Sequence, residues 1–133
     1  MARPNLLAIL LLAVTGAAAA QEPAQLTSLR LGQHGETIRI VLDMTQADVP
    51  SRYRLSDDGK ALIIETQAHA ENLHPPAPRG LVRSIASRPI AGDYATELVF
   101  SAAGPVSIGD VGALAPDTVH HSYRLYVDLA PAP

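Results

Sequence analysis

An all-β sandwich of two roughly four-stranded sheets is the fold that this sequence predicts, on three observations. Apolar residues recur with period two rather than 3.6. Clusters of Gly, Asp and Pro break them into short segments. The order of segments in the first half is echoed in the second. No stretch shows an apolar stripe of helical spacing, which leaves room only for a short helical turn in the connector between the halves.

Residues 1–20 stand apart from that fold. Arg3 gives a positive start, Leu6 to Val14 is an unbroken apolar run, and Ala18-Ala19-Ala20 fits the small-x-small pattern of a signal-peptide cleavage site. Cleavage is expected before Gln21, leaving one domain over 21–133 with no integral membrane segment. An uncleaved anchor is the competing reading, but nine apolar residues fall short of the roughly 20 that cross a bilayer unless the alanines are counted in. No cysteine follows the run, so a lipoprotein attachment site is absent.

The remaining 113 residues suffice for one core. With no cysteine, an exported domain of this size depends on burial and strand pairing, because disulfides are not available to it. Removing Arg3 with the leader leaves nine basic and thirteen acidic groups, a formal charge of −4. That weak acidity argues against nucleic acid as a partner and against adsorption to anionic lipid.

Taken in order, the candidate strands are Leu26 to Leu31, Glu36 to Asp43, Arg52 to Leu55, Ala61 to Thr66, Leu81 to Ser87, Ala95 to Ser101, Val106 to Leu114 and Tyr123 to Leu129. In the second, Ile38, Ile40 and Leu42 alternate with Thr37, Arg39, Val41 and Asp43, as in a half-buried strand. In the last, Tyr123, Leu125, Val127 and Leu129 point one way and Arg124, Tyr126 and Asp128 the other. Turn signals separate them at Gln33-His34-Gly35, Ser56-Asp57-Asp58-Gly59, Ala91-Gly92-Asp93 and Ala115-Pro116-Asp117, with Asp58-Gly59 the best hairpin signal. Gln67 to Gly80, with three prolines and two histidines, reads as a connector between two sets of four. Across it, Ser28-Leu29-Arg30 matches Ser84-Ile85-Ala86, Thr37 to Leu42 matches Ala95 to Phe100, and Leu62 to Glu65 matches Leu125 to Asp128. Four-strand units that each carry one apolar face are buried economically by packing the two faces together.

These segments resemble the AMIN domain, the non-catalytic module of periplasmic N-acetylmuramoyl-L-alanine amidases and type IV pilus secretins. The likeness runs through Leu29-Arg30-Leu31, Thr37 to Asp43, Tyr53-Arg54-Leu55 and Ala61 to Glu65, resumes at Leu81-Val82-Arg83-Ser84-Ile85, and ends on Ser122 to Leu129. It covers essentially the whole of 21–133. Glu65 stands where the family prefers aspartate, and Glu97 and Ser101 take the places of Arg39 and Asp43, so the first and last motif strands carry the likeness best. The resemblance implies a periplasmic sandwich that binds peptidoglycan or directs a cell-wall amidase or envelope-complex protein to sites of wall synthesis, as at a division septum. In the family the module sits beside a catalytic or pore-forming domain, for which this sequence has no room.

The candidate binding residues are Arg39, Asp43, Arg124, Tyr126, Asp128, Arg30 and Arg54. Arg39 and Asp43, like Arg124 and Asp128, are four apart on one strand face, about 13 Å at 3.3 Å per residue, so each must look across to a neighbouring strand. One reading is a cross-strand charge ladder that keeps a sheet face soluble and in register. The other has Arg39, Arg124 and Arg30 or Arg54 gripping peptide-stem carboxylates while the acidic groups receive sugar hydroxyls. Alternation places Tyr126 on the face of Arg124 and Asp128, although core packing competes for it; the scarcity of other aromatics weakens a sugar-stacking platform.

No metal or other cofactor is expected. His69, Glu71 and His74 lie in a Pro-rich connector, and His120 and His121 would point to opposite sides of an extended chain. No Gly-x-Ser-x-Gly elbow, phosphate-cradling loop or cysteine nucleophile is present, and the turn explains the adjacent Asp57 and Asp58. The leading expectation is thus a non-catalytic wall-binding module. Its rival is a docking factor for a secretin, pilus or divisome complex without glycan affinity, working through a sheet edge or face; an unrecognised small hydrolase is weaker.

Overall fold

The computed structural model describes residues 22–133, and the leader expected over 1–20 lies outside them. Eight strands follow one another: β1 (Leu26–His34), β2 (Thr37–Met44), β3 (Ser51–Leu55), β4 (Ala61–Thr66), β5 (Val82–Pro89), β6 (Thr96–Ala102), β7 (Val106–Leu114) and β8 (Tyr123–Pro131). No helix occurs among the described residues. The hairpin chemistry is local. Gly35, at φ 61°, opens the two-residue β1–β2 turn. Between β3 and β4, Gly59 sits at φ 71° while the Asp58 carboxylate accepts from Ser56 Oγ at 2.7 Å and Lys60 N at 3.0 Å.

The strands form two four-stranded antiparallel sheets, ordered β1-β2-β8-β7 and β3-β4-β6-β5. The duplication is present, but the layers are not one half each, as packing face on face had implied. Each half gives its first two strands to one sheet and its last two to the other, because Thr45–Pro50 and Ala103–Pro105 both cross between layers. The sheets therefore repeat one order, β1-β2-β8-β7 corresponding to β5-β6-β4-β3. They also repeat one irregularity: β1 shifts register between Leu26 and Ser28, and β5 between Val82 and Ser84. Leu42 lies opposite Leu125 as Phe100 lies opposite Leu62, so the internal matches read from sequence are matches of register.

Alternation puts the core between the central strands. Ile38, Ile40 and Leu42 of β2, Val127 and Leu129 of β8, Leu62 and Ile64 of β4, and Leu98 and Phe100 of β6 are fully buried. The connector joins β4 to β5, which run parallel because both are antiparallel to β6. It passes beside β1: Leu26 N donates to His69 O at 2.7 Å, His69 N to Ala24 O at 2.9 Å, and Arg79 Nη1 to Leu31 O at 3.4 Å. Its buried start is satisfied locally, with Thr96 Oγ1 donating to Ala68 O at 2.7 Å and Ala68 N to Thr66 Oγ1 at 3.2 Å.

Near the connector's end, Gly80 has φ 58°, and a Cβ there would lie 2.8 Å from Ile38 Cδ1. Gly80→Ala should therefore cost about 1–3 kcal/mol, from backbone strain and from crowding of a core side chain. Gly32→Ala, which meets nothing within 4 Å, should change stability by less than about 0.5 kcal/mol. Urea unfolding midpoints of the two variants check the contrast.

Candidate functional site

The outer face of the β1-β2-β8-β7 sheet gathers six of the seven candidate residues. Arg39 and Asp128 are directly opposed on β2 and β8, and the guanidinium grips the carboxylate with Nε at 2.8 Å and Nη2 at 3.0 Å. Arg124 is likewise opposed to Asp43, yet that pair does not form. Asp43 is taken from the other side by Arg30 of β1, through Nε at 2.9 Å and Nη2 at 3.0 Å, and accepts from Ser122 Oγ at 2.7 Å. Arg124 turns instead to the β7–β8 loop, where Nη2 donates to Ala115 O at 3.1 Å and to Asp117 at 3.2 Å.

Arg54 does not belong with these residues. Its strand, β3, is in the other sheet, so Arg54 lies on the opposite outer face, 3.8 Å from Glu65. Grouping it with Arg39 and Arg124 is corrected by the crossing at Thr45–Pro50, which carries β3 to the second layer. Tyr126 is on the outer face and not in the core. Arg39 Cζ stands 4.2 Å from the ring centroid, and the ring lies across Gly112 of β7, where a Cβ would come 2.6 Å from its Oη.

The opposite outer face carries a second charge row that the sequence reading left unassigned. Glu65 of β4 and Glu97 of β6 face each other, a repulsive pairing that is answered from the flanking strands. Arg52 Nε reaches Glu65 at 3.0 Å and Arg88 Nε reaches Glu97 at 2.7 Å, and Arg52 also stacks 4.5 Å over the Tyr94 ring. The internal matches contained the signal: they align Glu97 with Arg39 and Glu65 with Asp128, so two like charges fall where the first sheet has a pair, and cations must come from β3 and β5.

The electrostatics follow these contacts. The hydrogen bonds from Arg39 hold Asp128 below its ordinary pKa, and Asp128 in turn raises that of Arg39. Burial pushes Asp43 up, but Arg30 and Ser122 together outweigh it and its pKa is lowered. Asp117 is lowered to about 2 by the backbone N–H groups of His120 and Val119, which donate at 2.6 and 2.9 Å.

Arg124 also borders a cleft of about 190 Å³ at the end of the sandwich, between the β2–β3 loop and the ends of β7 and β8. Met44, Ala47, Val49, Leu114, Tyr123 and Leu125 make it mainly apolar, with Gln46 and Asp48 on the loop side. No group of three or more His, Asp or Glu side chains is arranged to hold a metal ion among the described residues. Comparison with protein-family models and with curated proteins finds no match to this chain.

Because the three aspartates are held below their ordinary pKa, the unfolded chain takes up their protons at higher pH than the folded one. The stability they add is complete above about 3.8 and is lost as pH falls through the lowered folded values, about 2 for Asp117. Urea midpoints measured from about pH 6 to about pH 2 should fall on the acid side. Asp128→Asn should flatten that decline and cost about 1 kcal/mol at neutral pH, a modest figure because Arg39 is partly solvated.

Proposed function

We propose that the protein is a non-catalytic cell-envelope module that binds peptidoglycan through the outer face of the β1-β2-β8-β7 sheet, marking the wall or bringing a cell-wall amidase to it. The observation that carries this reading is the state of Arg30 and Arg39. Both are two-point paired through Nε and Nη2, which fixes each guanidinium plane, while neither Nη1 has a hydrogen-bond partner among the described residues. The side chains remain 47% and 39% exposed, so those outward donors are open to solvent.

A preorganised row of such donors suits the carboxylates of peptide stems and the hydroxyls of sugars, because little side-chain entropy remains to be lost on binding. The charge ladder and the gripping face thus become one arrangement: the inward edge of each guanidinium holds the sheet in register, and the outward edge meets ligand. Tyr126 adds an apolar surface beside Arg39 but lies flat over β7, so recognition on this face is chiefly by hydrogen bonding. The likeness of Thr37 to Asp43 and Ser122 to Leu129 to AMIN motif strands supports the same assignment, as does the exported character expected of residues 1–20.

The test is co-sedimentation with purified sacculi. The protein should pellet with them, and Arg39→Ala should reduce pelleting several-fold while circular dichroism stays that of the parent. Arg39→Lys, which keeps the charge and loses the fork, should fall between the two. Protein that stays in the supernatant, or pelleting indifferent to Arg39 and Arg30, would rule out wall binding by this face.

A further inference from the structure

The charge row on the outer face of the second sheet runs out at one edge. Arg52 spends its Nε on Glu65 and Arg88 spends its Nε on Glu97, so both facing glutamates are taken. Arg54, two residues along β3 from Arg52, stands 3.8 Å from Glu65, beyond hydrogen-bond distance. Its side chain is 54% exposed and that of Glu65 13%, so solvent meets the guanidiniums and not the carboxylates beneath them. A surplus cation is thus presented on the outermost strand.

The backbone of that strand is also unfinished, because β3 pairs only with β4. Gln67 N donates to Pro50 O at 3.0 Å and Ser56 N to Ala61 O at 2.9 Å, which fixes the alternation of the ladder. Arg52 and Arg54 bond inward to β4, and the N–H and C=O groups of Tyr53 and Leu55 point outward. A strand added on that side would hydrogen-bond to Tyr53 and Leu55 and set its own side chains opposite Arg52 and Arg54 in the closer, non-hydrogen-bonded pairs. Charge decides what that strand can be. A second copy of β3, run antiparallel about Tyr53, would set Arg52 against Arg54, a repulsive pairing; cations on an edge deter apolar strands as well. An anionic lipid surface or a nucleic acid is disfavoured by the excess of acidic groups over residues 21–133.

We propose that the β3 edge captures an extended acidic segment of a partner protein by strand addition. Carboxylates at two alternate positions meet Arg52 and Arg54 on the outer face. The residue between them is apolar and turns inward beside Tyr53, which packs against the core. This edge belongs to the other sheet from Arg30 and Arg39, so it neither needs wall binding nor competes with it.

The experiment is an NMR titration of the ¹⁵N-labelled protein with acetyl-Thr-Glu-Val-Glu-Thr-amide. The peptide should shift the amide signals of Ser51–Leu55, those of Tyr53 and Leu55 most. Three control peptides should each bind at least about tenfold more weakly: acetyl-Thr-Val-Glu-Glu-Thr-amide, whose acids fall on opposite faces, the Lys-Val-Lys analogue, and the first peptide N-methylated at valine, which keeps the charges but lacks the donor to Tyr53 O. Arg54→Glu, at an exposed position, should keep the parent circular dichroism and sacculus pelleting while losing the acidic peptide. Equal affinity for the rearranged, lysine or N-methylated peptide, shifts confined to the Arg30 and Arg39 face, loss of sacculus pelleting in Arg54→Glu, or no shifts at millimolar peptide would each overturn the proposal.

Discussion

The pairing on which the rest of this molecule depends is between halves and not within them. β2 finds its central partner in β8, and β4 finds its own in β6. All nine fully buried side chains named above sit on these four strands, so the apolar surface that drives folding exists only once both cross-half ladders are made. A single half, with two strands for each layer, would leave Ile38, Ile40 and Leu42 facing an incomplete partner sheet. Interlocking is how a chain without disulfides, built from short strands, reaches the burial that one small domain requires.

That same arrangement decides where charge can go. Because β2 and β8 are central in their sheet, Arg39, Asp43, Arg124 and Asp128 are confined to a broad outer face and must neutralise one another across strands. Asp43 has two candidates, the opposed Arg124 and the diagonal Arg30. Arg30 and Ser122 prevail, and they free Arg124 to reach the β7–β8 loop. One swap of partner thus separates a solvated charge lattice from a half-apolar notch at the end of the domain. The second sheet resolves a harder case, two facing glutamates, by recruiting arginines from its edge strands.

Strand positions were largely legible, since period-two patterning and turn chemistry are local. Ala61–Thr66 and Val106–Leu114 coincide with their sequence-based bounds; β1, β3 and β8 are longer by one to three residues, and β2, β5 and β6 begin one residue later and run one or two residues further. The internal matches also held at the level of register. The assignment of strands to layers was not legible, because a six-residue link such as Thr45–Pro50 can turn back within a sheet or cross to another, and nothing in its composition decides which. Arg54 was misplaced for that reason alone. The diversion of Arg124 to Asp117 was equally hidden, since register predicts which residues face each other but not which of two nearby guanidiniums a carboxylate accepts. Alternation did place Arg124, Tyr126 and Asp128 on one face of the last strand, a consequence of the pleat that needs no tertiary information.

Among the described residues β8 is the last strand and also a central one, flanked by β2 and β7. A chain emerging from its N-terminus can make the β1–β2 hairpin early, but that hairpin must wait through about eighty residues before its inner neighbour arrives. Until then β2 exposes an unmatched edge and an apolar face, the combination most prone to misassembly. The interlock that makes the finished domain coherent therefore also delays it, since β2 has no inner neighbour until the residues of β8 are available to pair.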